Sequence, residues 1–407
     1  MINVAIIGCG ARGQSYAQYM KKNEAEMKIV AIAEPKPFLR EKMIKEYNVP
    51  AENVFSDYEE LLSKGVIADA LFVCTQDNEH VKPVVDAIET GYKFIMVEKP
   101  IDKRDEQNTL LAKKAKEYGA VVQVCHSLRY TKYYRKLKEI LDGGVIGDIV
   151  HIDHLEAVDH FHYAHSFVRG DWNNSDRSSH MILAKCCHDT DLLVYLTDKK
   201  CKKVSSFGSL KHFKKENAPE GSTERCIDGC PLNHKCPYSA MKYFDKYRNH
   251  LFREYAVEKE GFETIEEAMK QGRYGRCVYR CDNNVVDHQV ASFLFEDDVT
   301  ASLTMCAFTD IGRITRIYGT MGEIYAQFDK DKIEVCEFTT GDTVTYEVSH
   351  DDSLHGGADI NLVRDFLQVV RGEKQPATSI DISLESHRMC NAAEKSRLNG
   401  GTSIEVL

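Results

Sequence analysis

Apolar and polar positions alternate in blocks over the first 125 residues. Short apolar runs typical of buried strands lie at residues 4–7, 29–33, 70–74, 94–97 and 121–125. Stretches with helical periodicity lie between them, at 11–22, 38–47, 80–90 and 106–118. Strands separated by helices of this length predict βαβ units and a parallel sheet covered on both faces.

The pattern changes after Leu141, where a turn-rich break at 142–147 ends the first region. Apolar residues then alternate with period two at 149–157, 290–295, 300–308, 313–318, 323–328, 332–338 and 343–348. These runs predict a large open sheet, antiparallel or mixed. Helical patterns at 181–196, 360–370 and 384–398 would cover one of its faces.

We therefore predict an α/β protein with two domains, at residues 1–125 and 126–407. The segment 211–280 is polar, cysteine-bearing and poorly periodic, so we interpret it as an insertion in the second domain. The C-terminal helix can pack back on the first domain.

Composition excludes several classes of protein. The formal net charge of -10 argues against a nucleic-acid binder, which would carry a basic excess. No run approaches the roughly 18 apolar residues that a membrane span needs. The first residues lack the features of a secretory signal, so we expect a soluble, cytoplasmic protein. In that setting the 14 cysteines suit reduced thiols or a metal site.

A dinucleotide fingerprint follows the first strand and opens the first helix, with glycines at 8, 10 and 13. Gly8 would permit the tight turn, Gly10 would let the backbone approach a pyrophosphate, and Gly13 would let the helix pack on the strand. Ala11 and Arg12 lie at the helix N-terminus, where N–H groups favour an anion.

Glu34 ends the second strand, 21 residues after the last glycine of the fingerprint. That is the usual place of the carboxylate that bonds the adenosine ribose. A carboxylate there repels a 2′-phosphate, so NAD is favoured over NADP, although Lys36 is near enough to weaken this preference. The alternative is a solvated acid at the end of a strand.

Glu98, Lys99 and Pro100 directly follow the fifth strand, at the sheet edge where ligands bind in such folds. Pro100 biases Lys99 away from helix. A lysine at this position can bond a substrate hydroxyl and assist its proton transfer. The alternative is an ordinary surface lysine.

In these features the chain resembles the Gfo/Idh/MocA family of oxidoreductases. The resemblance rests on six pieces of sequence: the fingerprint at 8–13, Cys74-Thr75, His80, the segment 91–100 that ends in Glu-Lys-Pro, Arg129-Tyr130, and the 188–191 segment His-Asp-Thr-Asp. Together they span essentially the whole chain outside the insertion.

The resemblance implies an N-terminal Rossmann domain and a C-terminal α/β domain with a large open sheet, with substrate bound between them against the nicotinamide. It makes Lys99 the active-site lysine and His188 the histidine that contacts the reacting hydroxyl. Asp191 would lie on the same helical face and could orient His188. On the same basis we expect Thr75, His80 and Glu98 at the cofactor, and Arg129 and Tyr130 at the substrate.

The chain departs from the family at one position. Polyol dehydrogenases of the family often carry an aspartate four residues before the histidine, and this chain has Ala184 there. Proton transfer would then rest on Lys99 and His188, with Lys185 as a candidate assisting group. An imidazole suits this work because its ordinary pKa is about 6.5.

A histidine-rich segment follows the first strand of the second domain. We predict that His162, His165 and Arg169 line the substrate pocket together with Trp172, because aromatic and hydrogen-bonding groups suit a sugar. A metal site is the second interpretation, and solvent-facing histidines are the third. The segment 355–359, with His355 and Asp359, is a further pocket candidate.

The insertion carries a cluster of cysteines. Cys226, Cys230, Cys236 and Cys281 are our candidate ligands for a structural zinc ion, since four thiolates close a tetrahedral site. Free thiols in a loop are an equal alternative, and an iron–sulfur cluster is less favoured because no ferredoxin spacing is present.

These observations favour an NAD-dependent dehydrogenase that acts on a secondary hydroxyl of a sugar, a sugar derivative or an inositol. One alternative is a redox-neutral, NAD-dependent glycosidase or lyase that acts through a transient keto-sugar. Another is a non-enzymatic NAD-binding regulator. We expect a homo-oligomer, dimer or tetramer, joined through the open face of the second sheet.

Overall fold

The structure is a computed structural model that describes residues 1–349 and 357–406. His355, one of the pocket candidates, lies outside these ranges. Within them, six strands form the first sheet: β1 (Ile2–Ile7), β2 (Met27–Ala33), β3 (Val54–Phe55), β4 (Ala70–Val73), β5 (Phe94–Val97) and β6 (Val121–Val124). They pair in parallel in the order β3-β2-β1-β4-β5-β6.

Five helices cover the two faces of this sheet: α1 (Ala11–Lys22), α2 (Pro37–Tyr47), α3 (Tyr58–Leu62), α4 (Val81–Thr90) and α5 (Asp105–Tyr118). All four residues of β4 are buried, as expected for a strand covered on both sides. The side chains on one face of the sheet pack against α4 and α5, and those on the other face pack against α1. The predicted doubly wound parallel sheet is confirmed.

A second sheet has nine strands among the described residues: β7 (Ile149–Asp159), β8 (Cys201–Ser209), β9 (His288–Phe295), β10 (Thr300–Thr309), β11 (Ile314–Gly319), β12 (Gly322–Gln327), β13 (Lys332–Glu337), β14 (Thr343–Glu347) and β15 (Ile404–Glu405). Their order is β14-β13-β12-β11-β7-β10-β9-β8-β15. β7 and β10 pair in parallel, while their other neighbours are antiparallel. The predicted large, mostly antiparallel sheet is therefore confirmed.

Eight further helices follow α5 in the described ranges: α6 (Lys132–Asp142), α7 (His160–Tyr163), α8 (Met181–Ala184), α9 (Cys187–Thr197), α10 (Leu251–Glu258), α11 (Ile265–Gln271), α12 (Ala358–Val370) and α13 (Ile380–Leu398). α9 packs on β7 and β10, and α13 packs on β8. Phe207 and Val290 are cross-strand partners that expose their side chains away from these helices. α9 and α13 thus cover a single face of the sheet.

The last two long helices also contact the first sheet. Leu362 and Phe366 of α12 join the apolar cluster on the α1 side, and Ile380 and Leu384 of α13 join the cluster on the α5 side. The C-terminal part of the chain therefore packs on both faces of the first sheet.

The insertion is more ordered than its sequence indicates. Two helices, α10 and α11, pack on each other around a small apolar cluster with Tyr243, Ala256 and Met269. Thr264 and Glu267 form a reciprocal capping box at the start of α11. The sequence analysis predicted no helix in this segment, because α10 and α11, of 8 and 7 residues, are too short for helical periodicity to be visible.

A search of the described helices for one that is both long enough and apolar enough to span a lipid bilayer found none.

Candidate active site

The turn between β1 and α1 is held at both ends by glycines. Gly8 has a φ of 88°, and a Cβ there would lie 2.6 Å from the carbonyl oxygen of Cys74. A Cβ at Gly13 would lie 2.2 Å from the carbonyl oxygen of Gly8, so only glycine lets the helix approach the strand this closely. A Cβ at Gly10 would meet nothing within 4 Å. The side of Gly10 where a Cβ would lie is therefore not filled by protein atoms.

The N-terminus of α1 suits an anion. Gly10 is its N-cap residue, no side chain caps it, and the first turn contains no acidic residue. The first backbone N–H groups of a helix have no partner within the helix and carry the positive end of its dipole. The residues present, including the amides of Ala11 and Arg12, therefore fit a dinucleotide pyrophosphate.

Two alanine variants separate packing from cofactor binding at this turn. We expect Gly13→Ala to lower the free energy of unfolding by about 1–3 kcal/mol, because its Cβ forces the helix off the strand. Gly10→Ala should leave stability almost unchanged and weaken NADH binding, because its methyl group enters the open space. Urea unfolding and fluorescence titration with NADH measure the two effects. Equal losses of stability in the two variants would contradict this assignment.

Glu34 lies at the C-terminal end of β2 beside the same turn. It is buried, and its carboxylate accepts the N–H of Cys9 at 2.8 Å and the N–H of Lys36 at 3.0 Å. These bonds fix the carboxylate next to the glycine turn. This is the position from which an acidic residue reaches an adenosine ribose in such folds.

Arg12 and Glu98 bind each other. The Arg12 Nε donates to Glu98 at 2.7 Å, and its two terminal nitrogens each donate to Asp359 at 2.8 Å. Tyr16 donates its hydroxyl to Glu98 at 2.5 Å. Burial would raise the pKa of Glu98, but the charges of Arg12 and Lys99 lower it below its ordinary value.

This pairing gives the side chains of two predicted cofactor residues partners within the protein. The side chains of Arg12 and Glu98 tie α1, the end of β5 and the start of α12 together, because buried charges are stable only when they are paired. They support the turn and the following lysine, and the backbone amide of Arg12 lies in the first turn of α1.

The loop after β4 contains the other two predicted cofactor residues. His80 is buried, with its Nδ1 2.6 Å from the carbonyl oxygen of Pro100 and its Nε2 3.1 Å from that of Thr75. The Thr75 hydroxyl donates to the carbonyl of Glu79 at 2.8 Å. His80 thus links two loops at the sheet edge, and its contact with the cofactor stays a prediction.

Lys99 and His188 lie on facing elements. Lys99 follows β5, and its Nζ donates to the carbonyl oxygen of Ala184 at 3.2 Å. Ala184 ends α8, and His188 lies four residues later, in the first turn of α9. His188 is 8% exposed. The structure therefore brings the predicted lysine and histidine to one edge of the parallel sheet.

His126 is a site residue that the sequence interpretation missed. It follows β6, is fully buried, and packs its ring edge-on against His188 with 5.8 Å between centroids. Burial lowers the pKa of His126 well below its ordinary value, and Arg129 and Lys99 lower it further. His126 therefore packs on His188 as a neutral ring. A histidine directly after a strand at this sheet edge was the available signal.

Lys185 lies between the predicted site and the second sheet. Its Nζ is 3.5 Å from a carboxylate oxygen of Glu156 on β7, and Arg313 approaches the other oxygen at 2.5 Å. Burial raises the pKa of Glu156 despite these cations. Glu156 is a second missed residue, since a glutamate within an alternating strand gives no signal of its own.

Arg129, Tyr130 and Asp191 require correction. Arg129 donates to both carboxylate oxygens of Asp191, at 2.5 and 2.7 Å, and both residues are buried. Asp191 therefore holds Arg129, and the prediction that it orients His188 was wrong. The Tyr130 hydroxyl is buried near Gln123 and Thr378, at 3.1 and 3.0 Å. These groups satisfy one another in the interior rather than facing a substrate.

The insertion contacts three of the predicted pocket residues, His162, His165 and Arg169. The His165 ring stacks on Phe252 and Tyr274 of the insertion, with centroid distances of 4.6 and 4.5 Å. The His162 ring also packs near Phe252. Arg169 is buried and donates to the carbonyl oxygens of Arg276 and Tyr238, at 2.8 and 2.7 Å. The prediction that His165 and Arg169 line the substrate pocket is corrected, because these two buried side chains hold the insertion to the second domain, while the half-buried His162 stays a predicted pocket residue.

Trp172 remains beside the cofactor-side loops. Its Nε1 donates to Asp77 at 3.0 Å, and Ser178 donates its hydroxyl to the other oxygen of Asp77 at 3.0 Å. Asp77 belongs to the loop after β4, so Trp172 joins the two halves of the chain where substrate is predicted to bind.

Two buried histidines predict a loss of stability in acid. Burial, and then Arg169, lowers the pKa of His165 to about 3, while burial, and then His126, lowers the pKa of His387 to about 3. The unfolded chain takes up their protons below about pH 6.5, but the folded protein does not until about pH 3. Their contribution is therefore complete above pH 6.5 and is lost as the pH falls toward 3.

We expect the free energy of unfolding to fall by about 1.4 kcal/mol per pH unit for each of these histidines within that window. Urea unfolding of wild type and His165→Gln between pH 4.5 and 7.5 measures the slope. The pH dependence of the free energy of unfolding should be smaller in the variant by the contribution of one histidine. An unchanged slope would show that His165 does not stay neutral in the folded protein.

The cysteine cluster differs from the predicted zinc site. All 14 cysteines are free within the described ranges. The buried Arg169 lies beside the thiols, with its Nη2 3.9 Å from the Sγ of Cys226, and its charge acts on Cys281 and Cys236. The pKa of Cys281 is raised by burial to about 11.

The predicted ligands Cys226, Cys230, Cys236 and Cys281 are therefore not assembled for a metal ion. In the described part of the chain, one group of three histidine, cysteine or acidic residues has ligand atoms within 4.8 Å of one another, and it is Asp159, His160 and Asp310. A guanidinium among the thiols also opposes a second cation there.

Comparison with known proteins agrees with the two-sheet fold. The family model described as "Oxidoreductase family, NAD-binding Rossmann fold" matches residues 2–126. The model described as "GFO/IDH/MocA C-terminal domain" matches residues 134–228. Together the two span more than half of the chain.

The chain is 23% identical over 391 residues to the putative oxidoreductase YteT of Bacillus subtilis, with 88% of this chain and 87% of that protein covered. It is 30% identical over 148 residues to an inositol 2-dehydrogenase/D-chiro-inositol 3-dehydrogenase of Lacticaseibacillus casei, which covers 36% of this chain and less than half, 42%, of that protein. A solved levoglucosan dehydrogenase in complex with NADH and levoglucosan superposes with a TM-score of 0.74 at 14% identity, covering 100% of this chain and 99% of that one.

Proposed function

This chain belongs to the Gfo/Idh/MocA family of oxidoreductases, and from that premise we propose that it is an NAD-dependent dehydrogenase acting on a secondary hydroxyl of a sugar, a sugar derivative or an inositol. The observation that carries the proposal is the Lys99 ammonium, which bonds the carbonyl of Ala184 four residues before His188. Similarity to an inositol dehydrogenase and to a levoglucosan dehydrogenase supports the substrate class.

Lys99, His188 and His126 would have different roles in the reaction. A bound nicotinamide would accept a hydride from the alcohol carbon. The Lys99 ammonium would donate a hydrogen bond to the alcohol oxygen and stabilise the negative charge that develops on it. The His188 imidazole, close to that oxygen, would accept the hydroxyl proton. His126, neutral and packed against His188, would fix the orientation of that ring.

Glu34 and Lys36 support NAD rather than NADP as the cofactor. The Glu34 carboxylate accepts the N–H groups of Cys9 and Lys36 and would face an adenosine ribose, while the nearby Arg40 bonds the backbone carbonyl of Glu34 rather than its carboxylate. The Lys36 Nζ bonds the carbonyl oxygen of Lys259 at 2.7 Å and so is directed away from a 2′-phosphate. The negative charge of Glu34 would repel that phosphate.

A substrate panel tests the proposal. Purified protein is incubated with NAD and, separately, with polyols, aldoses, sugar acids and glycosides, while NADH absorbance and product are measured together. We expect stoichiometric NADH and a keto product from at least one carbohydrate. The absence of both NADH and product across the whole panel, with NAD shown to bind, would contradict the proposal.

A redox-neutral glycosidase or lyase is the second candidate, and the position of Glu156 favours it. Cleavage through a transient keto-sugar needs an additional acid or base, and Glu156 is a buried carboxyl with a pKa raised by burial, 3.5 Å from Lys185. The same panel separates the two functions, because release of an aglycone without net NADH would select the second.

A further inference from the structure

The insertion contacts the first half of the chain at the turn that follows β2. The Nζ of Lys36 donates to the carbonyl oxygen of Lys259 at 2.7 Å, and the Nζ of Lys42 on α2 lies 3.2 and 3.3 Å from the two carboxylate oxygens of Glu258. Lys259 and Glu258 are at the C-terminal end of α10. The insertion therefore reaches across to the first sheet rather than remaining on the second.

This contact lies at the adenosine end of the nucleotide site. The backbone N–H of Lys36 bonds the carboxylate of Glu34, and the side chain of Lys36 bonds the insertion. A single residue thus connects the ribose carboxylate with α10. Burial, and then the charge of Lys259, lowers the pKa of Lys36, as expected for an amine enclosed between two parts of the chain.

The charge of Arg12 acts on a residue of the same helix. Burial raises the pKa of the Tyr255 hydroxyl, while the charge of Arg12 lowers it, so Tyr255 lies within electrostatic range of the fingerprint turn. Tyr255 and Glu258 are three residues apart and share a face of α10. The face of α10 that bonds Lys42 through Glu258 therefore also carries Tyr255.

Asp171 anchors this part of the insertion from the second domain. Its carboxylate accepts the Nζ of Lys259 at 2.5 Å and the Nη1 of Arg273 at 2.6 Å, and the Arg273 Nε donates to Glu260 at 2.9 Å. The side chain of Asp171 is 19% exposed. The C-terminal end of α10 is thus tied both to the first half of the chain, through Lys36 and Lys42, and to the second half, through Asp171.

We propose that α10 and the residues that follow it, 251–261, form the outer wall of the dinucleotide site, so that the cofactor leaves only when the contacts of Lys36 and Lys42 with the insertion open. The proposal rests on the NAD binding in the proposed function. The wall slows release of NAD and NADH between turnovers. It contains residues beyond 228, the last residue that the family models match.

The release rate of NADH from the full-length protein tests this proposal. NADH is bound to the purified protein, and its release into excess NAD is followed by stopped-flow fluorescence without any carbohydrate. We expect Lys42→Glu and Glu258→Lys each to release NADH about threefold to tenfold faster, because each places like charges across a partly exposed contact. The charge-exchanged double variant should return to within about twofold of wild type, since it restores an opposite pair.

Two further variants complete the comparison. Lys45→Glu changes the same charge on the exposed side of α2 and should leave release unchanged, since no described contact joins it to the insertion. Asp171→Asn should accelerate release more than Lys42→Glu, because it frees both Lys259 and Arg273. Unfolding midpoints equal to wild type show that each variant is folded.

The outcomes distinguish this proposal from the proposed function. Faster release in both single variants, with recovery in the double variant, supports the wall. Release at the wild-type rate in every variant, with NADH bound normally, overturns the wall and leaves the dehydrogenase intact. Failure of the wild-type protein to bind NADH overturns the proposed function and the wall with it.

Discussion

Replacing Lys99 by alanine lowers kcat for the carbohydrate substrate by about 10²–10⁴-fold, the range of a positioned acid–base group. In the described structure the Lys99 Nζ bonds one backbone carbonyl, that of Ala184, and the ammonium charge also lowers the pKa of the buried Glu98. Because Arg12 and Tyr16 still bond Glu98 in the variant, stability should change little. Steady-state kinetics with the substrate found in the panel measures kcat, and fluorescence titration measures NADH binding.

Lys103 provides a matched control for Lys99. Its Nζ also crosses to backbone carbonyls of the second half of the chain, those of Ser175, Asp176 and Ser178, at 2.6, 3.2 and 3.1 Å. Lys103→Ala removes similar contacts away from His188, so kcat should stay within about fivefold of wild type. Equal losses in the two variants would mean that Lys99 acts only by joining the two halves of the chain.

Replacing Asp191 by alanine lowers the free energy of unfolding by about 3–5 kcal/mol, the cost of leaving a buried charge without its partner. Arg129 makes two short hydrogen bonds to this carboxylate, and its side chain is 9% exposed. Water therefore cannot replace the lost partner without opening the core. Urea unfolding of wild type and variant measures the change.

The double variant Arg129→Leu and Asp191→Leu is the control for this prediction. Removing both charges leaves no unpaired ion, so the double variant should be more stable than Asp191→Ala. A double variant that is less stable than the single variant would show that the two residues stabilise the protein through packing rather than through their ion pair.

The parts of the fold with strong apolar periodicity could be predicted from the sequence. α1 was predicted at its observed bounds, and each strand-like run of the first region matches a strand of the first sheet. β8 was missed because Cys201–Ser209 is mostly polar and presents only part of one face to the core. The single helix predicted at 181–196 divides at Lys185, and periodicity carries no information on such a break.

Site residues could be predicted where the backbone position alone, such as a tight turn or the end of a buried strand, determines the role of the residue. Gly8 and Gly13 have steric requirements that follow from the fingerprint, and Lys99 follows a buried strand. Predictions that rested on residue type alone failed for Arg169 and His165. Whether such a side chain lines a pocket or lies in the interior depends on which other residues pack against it. Those partners, Tyr238 and Phe252, come from the insertion, whose path could not be derived from local sequence.

The central claim is that Lys99 and His188 meet one alcohol oxygen beside the nicotinamide. A crystal structure of the protein with NADH and the polyol that it oxidises measures this directly. We expect the Lys99 Nζ and a ring nitrogen of His188 each within about 3.2 Å of the same hydroxyl oxygen, with the carbon that bears it facing the nicotinamide. A nucleotide bound elsewhere, or a substrate hydroxyl that contacts neither residue, would contradict the account.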